Sequence, residues 1–139
     1  MAQKDEFKPS ASGKSLQGKL EKVLFRINKE GGFRASIISD LDGLSLASVA
    51  SEFDDRRISA ISAIVQDVSE KAEKHFDFKR MDEVSLVDDG KFRLVFRQFE
   101  VGGQQFILTA AVPPHTAYRK LTNAALKEIS NILKEMRKI

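Results

Sequence analysis

Apolar residues recur every three or four positions in three stretches of this chain, which is the spacing of one face of an α-helix. Each stretch begins near residues that commonly cap helices, Ser, Asp or Thr, and ends near glycine or basic residues. The sequence therefore predicts three amphipathic helices. They run from Ser15 to Gly32, from Asp54 to about Phe76, and from Thr116 to the basic C-terminal residues.

Between these helices, short runs rich in β-branched and aromatic residues predict five strands. Turn signals separate them, Asp42-Gly43 in the first pair and residues 88–90 and 102–103 in the later three. The last two strands carry apolar residues on both faces, so helices should cover both sides of the sheet. The predicted order is helix, two strands, helix, three strands, helix. The predicted strands span residues 33–39, 44–50, 81–87, 91–99 and 104–112.

The apolar arc of the second helix is wider than contact with one sheet requires. Small residues beside Ile64, among them Ser62, would let another helix approach closely, although a helix merely rich in small residues is an equal alternative. The strand from Val84 to Val87 is expected at an open sheet edge, where pairing with its own copy would satisfy the backbone. The stripe predicted to pack on the sheet is Ile58, Ile61, Val65, Val68, Ala72 and Phe76.

Composition limits the class of protein. The 139 residues suffice for one domain, which we place at residues 15–139, after a flexible tail at residues 1–14 that holds only Phe7 as a large apolar side chain. A net charge of +3, with acidic residues interspersed, is a weak signal for nucleic acid. The absence of cysteine excludes disulfides and thiolate zinc sites. No signal peptide or membrane span fits the N-terminus, so a cytoplasmic location without membrane insertion is expected.

Motifs of catalysis and of ligand binding are incomplete in this chain. Residues 13–15, Gly-Lys-Ser, look like the end of a phosphate-binding loop, but Lys8 stands where that loop needs glycine. Residues 40–43, Asp-Leu-Asp-Gly, lack the further oxygen ligands of a calcium loop. His75 and His115 lie on different predicted elements, and no Ser, Asp and His group has a nucleophile turn. We therefore expect no cofactor, no metal and no catalytic site.

Two further classes of function have some support in the residues. Arg93 and Arg97 share a strand face and could touch phosphates, although such charges are more often a solvated face, and we expect no nucleic-acid partner. Profilin-like and PAS-like folds can enclose a small molecule, and Phe92, Phe96 and Phe106 could line such a pocket. Aromatic residues at strand spacing are usually core. A small-molecule-sensing domain of the profilin-like or PAS-like type is the alternative hypothesis for the function.

The stretch Ala35 to Ser48, ASIISDLDGLSLAS, resembles the first hairpin of Roadblock domains, the dynein light chain type: an apolar strand, an Asp-x-Asp-Gly turn and a Leu-x-Leu-Ala-Ser strand. The resemblance covers the chain from about Ser15 onward. It implies an α/β (α+β) domain with a central five-stranded antiparallel sheet and helices on both faces. It also implies dimers in which the second helices pair and the third strands join two sheets. The interface residues it points to are Ala60, Ile64, Val84 and Leu86.

Roadblock domains serve in dynein complexes, as scaffolds for Ras-like GTPases and as regulators of bacterial polarity GTPases. The resemblance therefore implies a protein partner rather than a substrate. We expect a non-enzymatic homodimeric scaffold or regulator that binds a small Ras-like GTPase or a larger multiprotein assembly. Charged residues of the second helix could steer such a partner. These are Arg56, Arg57, Asp67 and Lys71.

Overall fold

The computed structural model describes residues 15–50 and 55–136, and these form the predicted elements in the predicted order. The predicted tail at residues 1–14 lies outside the described residues, as do Asp54 and the basic residues Arg137 and Lys138. The helices are α1 (Leu16–Gly31), α2 (Asp55–Phe76) and α3 (Arg119–Met136). The strands are β1 (Ala35–Asp40), β2 (Ser45–Ala50), β3 (Glu83–Val87), β4 (Arg93–Val101) and β5 (Gln104–Val112).

The caps of α1 match the signals in its sequence. Ser15 precedes the helix, and its hydroxyl oxygen accepts a hydrogen bond from the Gly18 backbone N–H at 3.0 Å. Gly32 follows the helix with φ 66°, a left-handed conformation that glycine adopts without the steric cost of a Cβ. Its N–H donates to the Asn28 carbonyl and so satisfies one of the free carbonyls of the last turn.

The five strands form one antiparallel sheet in the order β2-β1-β5-β4-β3. The chain is therefore an α+β domain with a central five-stranded sheet, as expected. Among the described residues, β3 is bonded only to β4 and lies at one edge of the sheet, and β2 lies at the other edge. The expected edge position of β3 is thus confirmed.

The turn between β1 and β2 is built by a single carboxylate. Asp40 Oδ1 accepts hydrogen bonds from the backbone N–H groups of Asp42 and Leu44, both at 2.9 Å. Gly43 follows with φ 86°, which a residue with a Cβ rarely adopts. A hairpin turn, rather than a cation loop, accounts for these residues, as the sequence predicted.

Two hydrophobic clusters lie on the two faces of the sheet. The larger one packs α1 and α3 against one face, with Val95, Phe99 and Leu108 among its strand residues. The smaller one packs α2 against the other face, where the buried members are Val65 on α2, Phe96 on β4 and Ile107 on β5. Helices therefore cover both faces, as predicted, but α2 alone covers the second one.

The start of α3 differs from the prediction. The helix begins at Arg119, three residues after the predicted cap Thr116, and the Thr122 N–H donates to the Tyr118 carbonyl at 2.9 Å. The Thr116 hydroxyl donates instead to the Pro114 carbonyl at 3.4 Å. The prediction of Thr116 as a cap was wrong because the turn after the two prolines continues through His115, which has a φ of 59°.

Candidate protein-interaction site

The face of α2 that meets the sheet is partly polar. Each of its two buried serines donates its hydroxyl hydrogen to the backbone carbonyl four residues earlier. Ser62 Oγ also lies 3.4 Å from Thr109 Oγ1 on β5, and Ser69 Oγ accepts from Gln98 Nε2 on β4 at 2.7 Å. These contacts fix which side of the helix turns inward. The buried residues of α2 are Ile58, Ser62, Val65 and Ser69.

The predicted inner stripe of α2 was wrong at two positions. Val68 and Phe76 are 53% and 72% exposed, so neither packs on the sheet. Ser62 was predicted beside the outer approach surface and is buried against the sheet instead. Apolar periodicity cannot reveal this arrangement, because a serine that bonds to its own helix and to Thr109 loses little when it is buried. Because Ser62 and Ser69 occupy the side of α2 that faces the sheet, the larger apolar residues Ile64 and Val68 face outward.

The outward face of α2 carries Ala60, Ile64 and Val68, which we call the outer stripe. These residues are spaced four apart and therefore lie one above the other on the helix. Ile64 is 64% exposed and Val68 is 53% exposed. Two large aliphatic side chains that adjoin one another in water are typical of an interface that lacks its partner. Val68 was not predicted for the interface, although its spacing from Ile64 could have indicated it.

The free edge strand β3 presents further apolar residues on the side of the sheet that α2 covers. Val84 and Leu86 lie on the α2 side of the sheet, because they stand opposite Phe96 and Leu94 of β4. Val84 is partly buried against the α2 cluster, whereas Leu86 is 48% exposed. An edge strand presents unpaired backbone donors and acceptors and is a template for pairing with another chain. Ala60, Ile64 and Leu86 are thus exposed in the described structure, and Val84 is half-buried.

The four charged residues predicted to steer a partner do not form one group. Arg56 and Arg57 are exposed in the first turns of α2, and Arg56 lines a cleft of about 420 Å³ under the β1–β2 turn. Asp67 and Lys71 form an exposed ion pair at 2.9 Å in the middle of the helix. Opposite charges so paired largely cancel at a distance.

A charged cluster on the other face of the sheet holds β3 in place. Arg97 of β4 is only 3% exposed. It donates to Asp82 Oδ1 at 3.2 Å, to Thr122 Oγ1 at 2.6 Å and to Asn123 Oδ1 at 2.8 Å. The expectation that Arg97 belongs to a solvated face was wrong, because the side chains of α3 supply enough polar partners to keep the guanidinium buried.

Arg119 and Tyr118 complete this cluster from the start of α3. Arg119 donates to Glu83 Oε1 at 2.6 Å and to Asp82 Oδ2 at 3.0 Å, and the Tyr118 hydroxyl donates to Glu83 Oε2 at 2.6 Å. Burial alone would raise the pKa of Asp82, but the hydrogen bonds and charges of Arg119 and Arg97 outweigh it and lower that pKa. The cluster ties the first residue of the edge strand to α3.

The three phenylalanines of the small-molecule alternative do not line one cavity. Phe96 is fully buried in the α2 cluster, whereas Phe106 is buried on the opposite face, stacked on Phe99 with ring centroids 5.5 Å apart. Phe92 lies beneath the Arg34 guanidinium, 4.6 Å from its ring centroid. Phe96 and Phe106 are therefore core residues, and Phe92 is a half-buried rim residue. The three rings do not line a shared ligand pocket.

Across residues 15–50 and 55–136, no group of three or more His, Asp and Glu side chains is arranged to hold a metal ion. His75 and His115 are both exposed. None of the three described helices combines the length and the apolar composition that crossing a bilayer requires.

Comparison with known proteins identifies the fold. No protein-family model matches the sequence, and no curated protein matches it. A solved structure described as MglB with tetrameric arrangement has a TM-score of 0.75 and 15% identity, and the match covers 93% of this chain and 98% of that one.

Two further solved structures have the same fold as this chain. The gliding protein MglB from Thermus thermophilus has a TM-score of 0.69 and 15% identity over 93% of this chain and 99% of that one. A Roadblock/LC7 domain from Streptomyces avermitilis has a TM-score of 0.69 and 11% identity over 85% of this chain and 98% of that one. The chain therefore has the Roadblock-type fold.

Proposed function

We propose that this Roadblock-type domain is a non-enzymatic homodimeric scaffold or regulator, and that its partner is a small Ras-like GTPase or a larger protein assembly. The observation that carries the proposal is the position of the outer stripe of α2 on the same side of the sheet as the exposed edge residue Leu86. One partner surface can cover both at once. A second copy of the chain offers such a surface by symmetry.

The dimer forms when the β3 strands of two copies pair in antiparallel fashion. A two-fold axis that relates two such edge strands is perpendicular to the sheet, so the two five-stranded sheets join and both α2 helices lie on the same side. Ile64, Val68 and Leu86 then leave water, which stabilises the dimer by about 25 cal/mol for each Å² of apolar surface buried. The similarity to the MglB structure with tetrameric arrangement supports self-association.

The GTPase partner is supported by the resemblance of the first hairpin to Roadblock domains and by the similarity to solved Roadblock-type structures. The surface proposed for it is the solvent side of the paired α2 helices. Arg56 and Arg57 are exposed there and give it positive charge. The proposed dimer residues are Ala60, Ile64, Val84 and Leu86, and the proposed partner-binding residues are Arg56, Arg57, Asp67 and Lys71.

The dimer is tested by the solution mass across a dilution series, measured by light scattering. We expect the parent chain to have twice the mass of one chain, and the Ile64→Asp variant to have the mass of one chain because a carboxylate would be buried in the interface. Asn131→Asp is the matched control, since it makes the same change of charge at an exposed position of α3, on the other face of the sheet. A parent chain that is monomeric at every concentration contradicts the dimer.

The GTPase surface is tested by binding to a Ras-like GTPase of the same genome, loaded with a non-hydrolysable GTP analogue. Replacing Arg56 and Arg57 by Glu is expected to slow association at least about tenfold at low salt. The control carries the same charge change on α3, with Glu at the exposed positions Lys120 and Lys127. Equal association rates in the two variants would remove the α2 surface as the GTPase site.

A further inference from the structure

The end of α2 carries two exposed aromatic rings. Phe76 is the last residue of the helix and is 72% exposed, and Phe78 follows it and is 56% exposed. Their ring centroids are 6.2 Å apart, so the rings form one apolar knob. Aromatic residues are enriched at interfaces because they bury a large area with few rotatable bonds. We call Phe76 and Phe78 the aromatic knob.

A cleft of about 260 Å³ lies at the far end of β3, lined by Leu86, Val87, Asp88, Phe92 and Leu94. Leu86 and Leu94 stand opposite each other on the α2 side of the sheet. Leu86 is 48% exposed, so the apolar wall of the cleft on this side is open to water. Leu86 and Leu94 therefore open the cleft on the face of the sheet that α2, which ends in the aromatic knob, covers.

The knob cannot reach the cleft of its own copy. The chain after α2 returns to the start of β3, where the Met81 N–H donates to Glu73 Oε2 at 2.6 Å. The cleft lies at the other end of this strand, beside Leu86 and Val87. Four residue steps of roughly 3.3 Å separate Glu83 from Val87, so the two ends of β3 are about 13 Å apart. The aromatic knob lies beyond the end of β3 that begins at Glu83.

A two-fold axis through β3 exchanges these two ends. It brings the residues that precede Glu83 in one copy beside the residues that follow Val87 in the other. We infer that in the proposed homodimer the aromatic knob of each copy docks into the other copy's cleft between Leu86, Phe92 and Leu94. The inference rests on the proposed homodimer and adds to it a reciprocal contact outside the outer stripe.

Charge at the two ends of β3 agrees with this arrangement. Lys79 and Arg80 follow the knob and are exposed, and Asp88 and Asp89 form the exposed turn beside the cleft. Antiparallel pairing of the β3 strands places the basic pair of one copy beside the acidic pair of the other, at both ends of the joined strands. Opposite charges so placed favour this register over pairing with a different patch. The aromatic knob and the basic pair of a second copy thus match the apolar wall and the acidic turn of the cleft.

The first test is the dissociation constant of the dimer, measured by sedimentation equilibrium, for the variant with Phe76→Ala and Phe78→Ala. We expect it to rise at least about tenfold over the parent, because two rings lose their apolar contacts. Both residues are exposed in one copy, so the variant keeps the helical circular dichroism of the parent. Asn131→Ala, which removes an exposed side chain of α3 on the other face of the sheet, is expected to leave the constant unchanged.

The second test measures proximity between copies. The chain has no cysteine, so a protein with Phe76→Cys can be mixed with a tagged protein carrying Leu86→Cys and treated with a short reagent that joins two thiols. We expect a covalent pair that contains one tagged and one untagged chain. A partner carrying Asn131→Cys, on the α3 side of the sheet, in place of Leu86→Cys should give almost none.

The outcomes separate this inference from the dimer itself. A parent chain that is monomeric throughout overturns both. A dimeric parent that Ile64→Asp dissociates, but whose dissociation constant is unchanged by loss of the two rings, overturns only the docking of the knob. Cross-linking through Asn131→Cys as readily as through Leu86→Cys overturns it as well.

Discussion

Arg97 shows how a single side chain can hold an edge strand for pairing. It is buried, yet it reaches the exposed Asp82 just before β3 and Thr122 and Asn123 on α3. If a buried charge loses its partners, the protein loses more folding free energy than the paired charge contributes. Such a cluster therefore favours the one arrangement of β3 in which every partner is in place. The residues that face the proposed interface lie on the other side of this same strand.

Tyr118 gives this cluster a spectroscopic reporter, because it is the only tyrosine and the chain has no tryptophan. Burial, and the hydrogen bond and charge of Glu83, raise the pKa of the Tyr118 hydroxyl above its ordinary value of 10.0. We expect the ultraviolet titration of the phenol to have its midpoint above 10.0 in the parent. Glu83→Gln should bring the midpoint back toward the ordinary value, since it removes a negative charge and keeps an acceptor.

The same pKa has a consequence for stability. A group whose pKa is raised by folding stabilises the native state below its unfolded pKa and loses that contribution as the pH rises through the folded pKa. The parent should therefore lose more unfolding free energy than Glu83→Gln does above about pH 10. A phenol that titrates at the same pH in both proteins would show that Glu83 does not bond to it in solution.

The sequence predicts the apolar residues of this cluster better than the charged ones. Tyr118 is an apolar position in the last predicted helix, and it packs against the core. Arg97 was placed on a solvated face, because alternation along a strand shows which residues share a side and not what covers that side. The partners Thr122 and Asn123 lie on another element, so no local pattern links them to Arg97.

At the scale of elements, the passage from α1 to β1 depends on two adjacent glycines. A Cβ on Gly31 would lie 2.5 Å from Phe33 Cε1 and 2.9 Å from Leu121 Cδ1, and Phe33 is buried. We expect Gly31→Ala to lower the free energy of unfolding by about 1–2 kcal/mol in urea denaturation, because the ring must shift in a packed core. This close contact lets α1 pass directly beside the start of α3.

Gly90→Ala is the control for this substitution. Its added Cβ would meet only Asp88 Oδ1, at 3.4 Å, in an exposed turn. The control is expected to change the free energy of unfolding by less than about 0.5 kcal/mol. Equal losses in the two variants would mean that glycine flexibility in general, and not the contact with Phe33, determines the cost.

The second helix also differs in one respect between the sequence prediction and the structure. The sequence predicted α2 from Asp54 to about Phe76, and the helix spans Asp55–Phe76, but its predicted orientation about its own axis was wrong at Val68 and Phe76. That orientation depends on the contacts of Ser62 with Thr109 and of Ser69 with Gln98, which join distant parts of the chain. Polar pairs of this kind have no periodic signature, so the outward position of Val68 and Phe76 could be found only in the structure.

At the scale of the whole molecule, the order of elements and the edge position of β3 follow from local signals. Turn residues at 88–90 and 102–103 fix short antiparallel connections, and these place β3 outside β4. The pairing of β1 with β5, which closes the sheet, joins strands far apart in sequence and has no such signal. One face of this sheet is covered by two helices and the other by α2 alone.

In the proposed homodimer, the face covered by α2 alone makes the stability of the molecule depend on its concentration. If two copies share that face, unfolding also separates them, and each tenfold rise in protein concentration adds about 1.4 kcal/mol to the free energy of unfolding the dimer. We expect the urea midpoint of the parent and of Asn131→Asp to rise with concentration, and that of Ile64→Asp to stay constant. A parent midpoint that does not change across the same range would mean that α2 and β3 are stable without a second copy.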